Sequence, residues 1–175
     1  TNTRNGINYD TSDPTLVQDD YFRYKEQIYA LYADYSREFS ERFSMQLGLR
    51  MEHTRTTGIS EAKDTEDKHD YTRLFPTVYL LYSPTDGHAL NFSFSNRISR
   101  PSQNMVNPFP FYQNKYTYAC GREDLKPSYT YNAELGYTLK NNFNVSAYYS
   151  YSDDVFFQVV DLDAETNVTS FLWEN

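Results

Sequence analysis

The chain has 175 residues, with 18 Tyr and 12 Phe but one Trp, a mean hydropathy of −0.78 and a formal net charge of −8. An aromatic share of 18% argues against intrinsic disorder, which is poor in aromatics, and the acidic balance argues against a nucleic-acid partner, which calls for a basic face. The longest apolar run, Ile28–Ala33, is far short of the ~20 residues of a membrane-spanning helix, but strands that cross a membrane need an apolar residue only at every second position and stay open.

Taken in chain order, Arg4–Tyr9 is a short candidate strand, and Phe22–Ser36 is a longer one with apolar residues on both faces. Arg42–Thr54 divides by parity, with Phe43, Met45, Leu47, Leu49 and Met51 against Ser44, Gln46, Gly48, Arg50 and Glu52. Tyr71–Ser83 again carries apolar residues on both faces. Leu90, Phe92, Phe94 and Ile98 oppose Asn91, Ser93, Ser95 and Arg97. From Ser128 to Lys140 the odd positions are aromatic or aliphatic and the even ones small or polar. Phe143–Tyr151 alternates as well, with Tyr148 the exception, and Asn167–Trp173 is a second partial strand. The expected fold is all-β.

The connections alternate in length. Short turns fall at Arg37–Glu41, Pro84–His88 and Lys140–Asn142, the second holding the hairpin pair Asp86-Gly87. Long connections fall at Asp10–Asp20, Thr57–Asp70, Arg100–Pro127 and Asp153–Thr166. Compact soluble domains favour short connections throughout. Outer-membrane barrels instead have short turns at one rim and long loops at the other. The four long connections hold 16 acidic and 6 basic residues, so the acidity is loop acidity. Tyr29, Tyr35, Tyr129 and Tyr137 at strand ends suit interfacial girdles. A soluble β-sandwich accounts for the alternation but not for the short and long rhythm.

One stretch carries a family likeness. Asn96-Arg97-Ile98-Ser99-Arg100-Pro101-Ser102, Asn107-Pro108-Phe109, Gly121-Arg122-Glu123-Asp124-Leu125-Lys126-Pro127 and Ala133-Glu134-Leu135-Gly136-Tyr137 together resemble the barrel of TonB-dependent outer-membrane receptors, closest to the β-barrel family common in Bacteroidetes. Glu26–Tyr32 and Gly48–Thr54 agree with it. Arg122-Glu123 stands where that family usually has Asn-Pro, and Ser128 where it usually has an acid. The resemblance implies an antiparallel up-and-down transmembrane barrel segment of about 7–8 strands, with residues 1–175 part of a larger barrel and with the plug, TonB box and closing strand absent. The start Thr1–Gly6 has no apolar leader. The alternative is a complete eight-stranded barrel, or a sandwich, acting as a binding or adhesion module.

What the resemblance implies about function is import of an extracellular nutrient through the outer membrane of a Gram-negative cell. The implied partners are outer-membrane lipid, the rest of the barrel and its plug, TonB–ExbB–ExbD, and a surface lipoprotein. The loop motif Arg100, Pro101, Asn107, Pro108, Gly121, Leu125, Lys126 and Pro127 reads as structural: the prolines fix φ where the chain leaves and re-enters strands, Asn107-Pro108 starts a turn, and Gly121 can take a positive φ. Phe109, Phe111, Tyr112, Tyr116 and Tyr118 are the candidate ligand-binding residues, as a stacking surface for a bulky glycan or chelate. No catalytic residues, metal site or cofactor are expected. Cys120 is the only cysteine, the three histidines lack ligand spacing, and Asp161-x-Asp163-x-Glu165 reads as a solvated acidic loop rather than a Ca²⁺ site.

Overall fold

The computed structural model describes residues 2–6, 19–60, 65–140 and 142–175. Seven strands form one antiparallel sheet: β1 (Asn2–Gly6), β2 (Asp19–Ser40), β3 (Phe43–Ser60), β4 (Thr65–Tyr82), β5 (His88–Ser99), β8 (Ser128–Leu139) and β9 (Phe143–Asp153), in the order β1-β2-β3-β4-β5-β8-β9. This is an up-and-down meander interrupted once, between β5 and β8. The short turns at one end are tight, and Gly87 takes φ +80° in the Asp86-Gly87 hairpin, a conformation open to a residue without Cβ.

Register turns the parity of single strands into two continuous surfaces. Tyr35, Leu47, Val78, Phe94, Ala133 and Tyr149 are successive partners across β2, β3, β4, β5, β8 and β9. The adjacent row is Asp34, Gly48, Thr77, Ser95, Asn132 and Ser150. One face of the sheet is therefore apolar and the other polar. Leu31, Leu47, Leu49, Met51, Leu74 and Leu135 all remain exposed on the apolar face. Tyr148, the exception to the alternation, lies on the polar face, where its hydroxyl donates to Asn132 Oδ1 at 2.5 Å.

The apolar face has a sharp edge. On β3 the outward residues Phe43 to Met51 are apolar, and the next ones are His53, Arg55 and Thr57. Their β4 partners change in step from Leu74 to Thr72, Asp70 and Lys68. The band from Phe43 to Met51 is roughly 26 Å long at ~3.3 Å per residue, the reach of a tilted strand crossing a hydrocarbon layer. β2, β3 and β4, at 22, 18 and 18 residues, continue well beyond it, whereas β5, β8 and β9, at 12, 12 and 11, do not. Aromatic pairs sit towards both edges: Phe43 meets Phe39 and Tyr82 near the turn end, and Tyr131 stacks on Tyr151 at 6.3 Å. Tyr29 sits at the upper edge beside His53, and Tyr137 accepts or donates a 2.6 Å bond with His88 near the turns.

Several connections differ from the sequence expectation. Thr57–Asp70 is mostly strand, because the β3–β4 ladder runs on to the pair Ser60–Thr65. The turn expected at Arg37–Glu41 narrows to Glu41-Arg42. The expected Asp10–Asp20 connection lies outside the described residues up to residue 18, and of the first partial strand, Arg4–Tyr9, only residues 4–6 are described, as part of β1 paired to β2. The last partial strand leaves the wall altogether. Asn167–Trp173 corresponds to β11 (Val168–Glu174), which pairs with β10 (Phe157–Asp163), inside the expected Asp153–Thr166 connection. β11 also runs parallel to β7 (Thr117–Cys120), itself paired with β6 (Phe111–Asn114), giving a second sheet β10-β11-β7-β6. Two long connections thus fold together into a structured cap. β11 contributes Trp173, which packs against the buried residues of the cap.

The polarity assignment makes a direct test possible. Leu47→Arg, at the middle of the apolar band, is expected to destabilise the membrane-inserted protein by about 2–4 kcal/mol, whereas Gln46→Arg on the other face is expected to be tolerated. Urea unfolding in phospholipid vesicles measures both; equal losses would remove the distinction between the faces.

Candidate functional site

The site is built where the chain leaves β5. The β4–β5 ladder stops at Thr77–Ser95, next to Pro76, which has no N–H to donate. Above that point β4 continues without β5, and the space between them is filled by side chains. Phe75 is 2% exposed. It lies beneath the Arg50 guanidinium at 4.7 Å and stacks on Tyr129 at 6.5 Å. The Arg73 guanidinium sits 5.2 Å from the Tyr129 ring. These contacts explain why Tyr71–Ser83 carries large residues on its polar face.

Arg100, one residue past β5, reaches back across this space to the polar face of β3. Its Nη2 donates to Glu52 Oε2 at 2.6 Å and to Thr54 Oγ1 at 3.2 Å, and its Nε lies 3.5 Å from Glu26 Oε1 on β2. Arg50 holds the other Glu52 oxygen at 3.3 Å. Glu52 is 6% exposed and Thr54 fully buried. A carboxylate this buried is costly unless paired, so the bridge both neutralises Glu52 and fixes the direction in which the loop departs.

The loop then folds on itself. The short helix α1 (Gln103–Val106) ends at Asn107, whose Oδ1 accepts the Phe109 N–H at 3.1 Å. Val106, Phe109 and Leu125 form a buried cluster, with Tyr24, Met105, Phe156 and Trp173 packed against it. Gly121 N–H donates to Asn107 O and Arg122 N–H to Met105 O, both at 2.8 Å. A Cβ at Gly121 would lie within 2.7 Å of backbone atoms of Met105 and Asn107. Gly121 is thus demanded by close backbone approach and not, as its turn context suggested, by a positive φ, since Gly87 is the only described glycine with one. The Cys120 thiol donates to Pro108 O at 3.1 Å.

The remaining motif residues close the loop onto the wall. Pro101 follows Arg100, and Pro127 precedes β8 directly. Arg122 grips Asp124 through two hydrogen bonds, at 2.5 and 2.9 Å, and this holds the Asp124 carboxyl below the usual aspartate range. Ser128, where an acid is usual, donates its hydroxyl to Asp153 O at 3.0 Å. The Lys126 backbone is clamped by the Asn175 side chain, which also donates to Asp154 O. On the β10–β11 hairpin, Asp163 accepts from the Thr166 hydroxyl and from the Glu165 and Thr166 N–H groups, which lowers its pKa. That carboxylate is a turn cap.

The five aromatic candidates do not form one surface. Phe109 is buried in the loop core at 5% exposure, where with Phe111 and Trp173 it lines a cavity of about 320 Å³. Phe111 and Tyr116 are exposed, and Tyr112 and Tyr118 pair across the β6–β7 hairpin at 5.4 Å. Another cavity, of about 230 Å³, lies between the cap and the projecting ends of β2 and β4, walled by Tyr24, Tyr71, Arg73, Arg100, Leu125 and Tyr129, with Glu26 and Glu123 also lining it. Sequence reasoning missed Glu26, Glu52 and Tyr71. The available signal was a run of charges, Arg50 and Glu52, on an otherwise small and polar strand face.

An outer membrane protein beta-barrel family model matches residues 1–175. The chain belongs to that family. Its location is the cell outer membrane, and in such barrels the apolar face meets lipid while the polar face lines the lumen. None of the curated proteins matches it. Among solved structures it is similar to the siderophore receptor PirA from Pseudomonas aeruginosa, at 13% identity and a TM-score of 0.49, over 91% of this chain. The chain spans 38% of the length of that receptor. Within the family barrel, Arg100 anchors the β5–β8 connection on the lumen side of the wall.

Two substitutions separate the anchor from the fold of the loop. Gly121→Ala is expected to destabilise the cap by about 1–3 kcal/mol, read as faster proteolysis within residues 100–127 while the wall stays resistant. Arg100→Ala is expected to expose the same segment without unfolding the Val106–Phe109–Leu125 cluster, and Arg100→Lys to restore it only in part, because an ammonium cannot span Glu52, Thr54 and Glu26 together. Hydrogen exchange of the Gly121 and Arg122 amides distinguishes the two effects.

Proposed function

We propose that the chain is a wall section of a TonB-dependent receptor that imports an extracellular nutrient into the periplasm. The observation that carries this reading is the lumen-side anchoring of the cap: a loop tied by Arg100 to Glu52 folds over the barrel interior instead of away from it. A structured mouth of this kind suits a barrel that gates entry. The motif from Asn96 to Tyr137, which resembles these receptors, supports the same reading. The wall argues against a complete eight-stranded barrel, because β11, the candidate eighth strand, belongs to the cap.

On this reading the rest of the barrel pairs along β1 and β9, a plug fills the lumen, and TonB, ExbB and ExbD supply the energy coupling. The role is binding and transport, without catalysis. Phe111, Tyr112, Tyr116 and Tyr118 remain the stacking groups offered at the mouth, with a surface lipoprotein as a further partner there. The intact protein extracted from native outer membranes should exceed 20.6 kDa and cross-link to TonB. A 20.6 kDa species that inserts into bilayers alone and conducts without TonB would overturn the proposal.

A further inference from the structure

The cavity between cap and wall holds charged groups that the fold leaves without partners. In the segment after β7, Arg122 and Asp124 grip each other on the exposed side. Glu123, between them, faces the other way, into the cavity and into an adjoining recess of about 20 Å³ against Tyr24, Thr56 and His69. Its Oε1 is buried with no hydrogen-bond partner, and no cation pairs with the carboxylate among the described residues. A carboxylate oxygen taken out of water without a partner is costly, which makes it a place for a donor from outside the chain. It also departs from the family pattern, which usually has Asn-Pro at Arg122-Glu123.

On the wall, Arg73 of β4 lies 5.2 Å from the Tyr129 ring and has no carboxylate partner among the described residues. Glu52, its register partner on β3, is already held by Arg50 and Arg100. Arg100 in turn has its Nε buried without a hydrogen-bond partner, with Glu26 Oε1 standing off at 3.5 Å. The charges of the lining balance, Arg73, Arg100 and Lys126 against Glu26, Glu123 and Asp154. A ligand with net charge would leave one sign uncompensated, whereas a neutral one with separated charges answers both. Tyr71, Tyr129, Val106 and Leu125 supply apolar wall. At about 230 Å³ the cavity is below the ~300–1,000 Å³ of drug-sized ligand sites, so its occupant is small.

We propose that this cavity is a binding site for a zwitterionic α-amino acid with an apolar side chain. The ligand ammonium donates to Glu123, its carboxylate accepts from Arg73 and the Arg100 Nε–H, and its side chain lies against Tyr129, Val106 and Leu125. The volume favours a single amino acid over a peptide. The inference rests on the import reading for the fate of the ligand, and it supplies the solute class that the reading leaves open.

The test is isothermal titration calorimetry on the intact protein in detergent, with phenylalanine, phenylpropionate and phenethylamine, which share a ring and differ in charge. Phenylalanine is expected to bind, and loss of either charge to weaken binding about tenfold or more, as for a lost hydrogen bond to a charged group. Glu123→Gln should weaken phenylalanine and phenethylamine and leave phenylpropionate unchanged. Arg73→Gln should weaken phenylalanine and phenylpropionate and leave phenethylamine unchanged. Protease resistance of residues 100–127 shows whether the cap is intact in each variant, and the ligand series on the native protein decides the matter if it is not. Equal affinity for the three ligands, tighter binding of glucose than of phenylalanine, or no binding at millimolar concentration overturns the proposal. Uptake of labelled phenylalanine separates the site from the import reading. Charge-dependent binding without TonB-dependent uptake keeps the site and removes import; TonB-dependent uptake of other solutes without phenylalanine binding does the opposite.

Discussion

A β-strand places successive side chains on opposite faces, and in this wall the two faces meet different solvents. Every strand therefore has to satisfy lipid on one side and a polar interior on the other, and a slip of one residue would exchange the two surfaces wholesale. Register is held accordingly. The rows through Leu47 and Gly48 stay on opposite faces across six strands. Part of the aromatic content follows from the same constraint: Tyr35, Phe43, Phe94 and Tyr149 serve the lipid face and its edges, where an apolar ring and a polar tip are both of use. The negative mean hydropathy comes from the lumen face and the loops.

The second requirement is to hold a long connection in one place. Twenty-odd residues between β5 and β8 would carry a large ordering cost if they were tied only at their ends. Arg100 reduces that freedom at the outset by binding Glu52 and Thr54 two strands away. The loop then supplies its own core through Val106, Phe109 and Leu125, and the close approach at Gly121 locks the end of α1 onto β7. β10 and β11 complete the cap from a distant part of the chain, so its fold depends on contacts that no single loop contains.

The arrangement divides labour along the strand axis. The turn end is minimal and aromatic, the middle is a lipid-facing band, and the upper end carries the cap inside. The cavity beneath the cap is bounded by charged and aromatic groups from both wall and loop, Arg73 and Tyr129 among them.

The sequence by itself determined the strands, their facing and the membrane class, because a period of two is a local property that residues such as Leu47, Gly48, Leu135 and Gly136 display without any partner. It also marked the loop motif as constrained; in the structure Asn107 accepts the Phe109 N–H, Leu125 lies in the loop core and Pro127 directly precedes β8. Only the tertiary structure decided what each constraint was for. Gly121 serves a close backbone approach, Phe109 serves a core, and Arg100 serves an ion bridge to a residue 48 positions away. Asn167–Trp173 reads as a partial strand and joins the cap instead, since a strand signal says nothing about which edge the strand will pair with. Partner choice rests on burial and on long-range hydrogen bonds, and those exist only once the chain has folded.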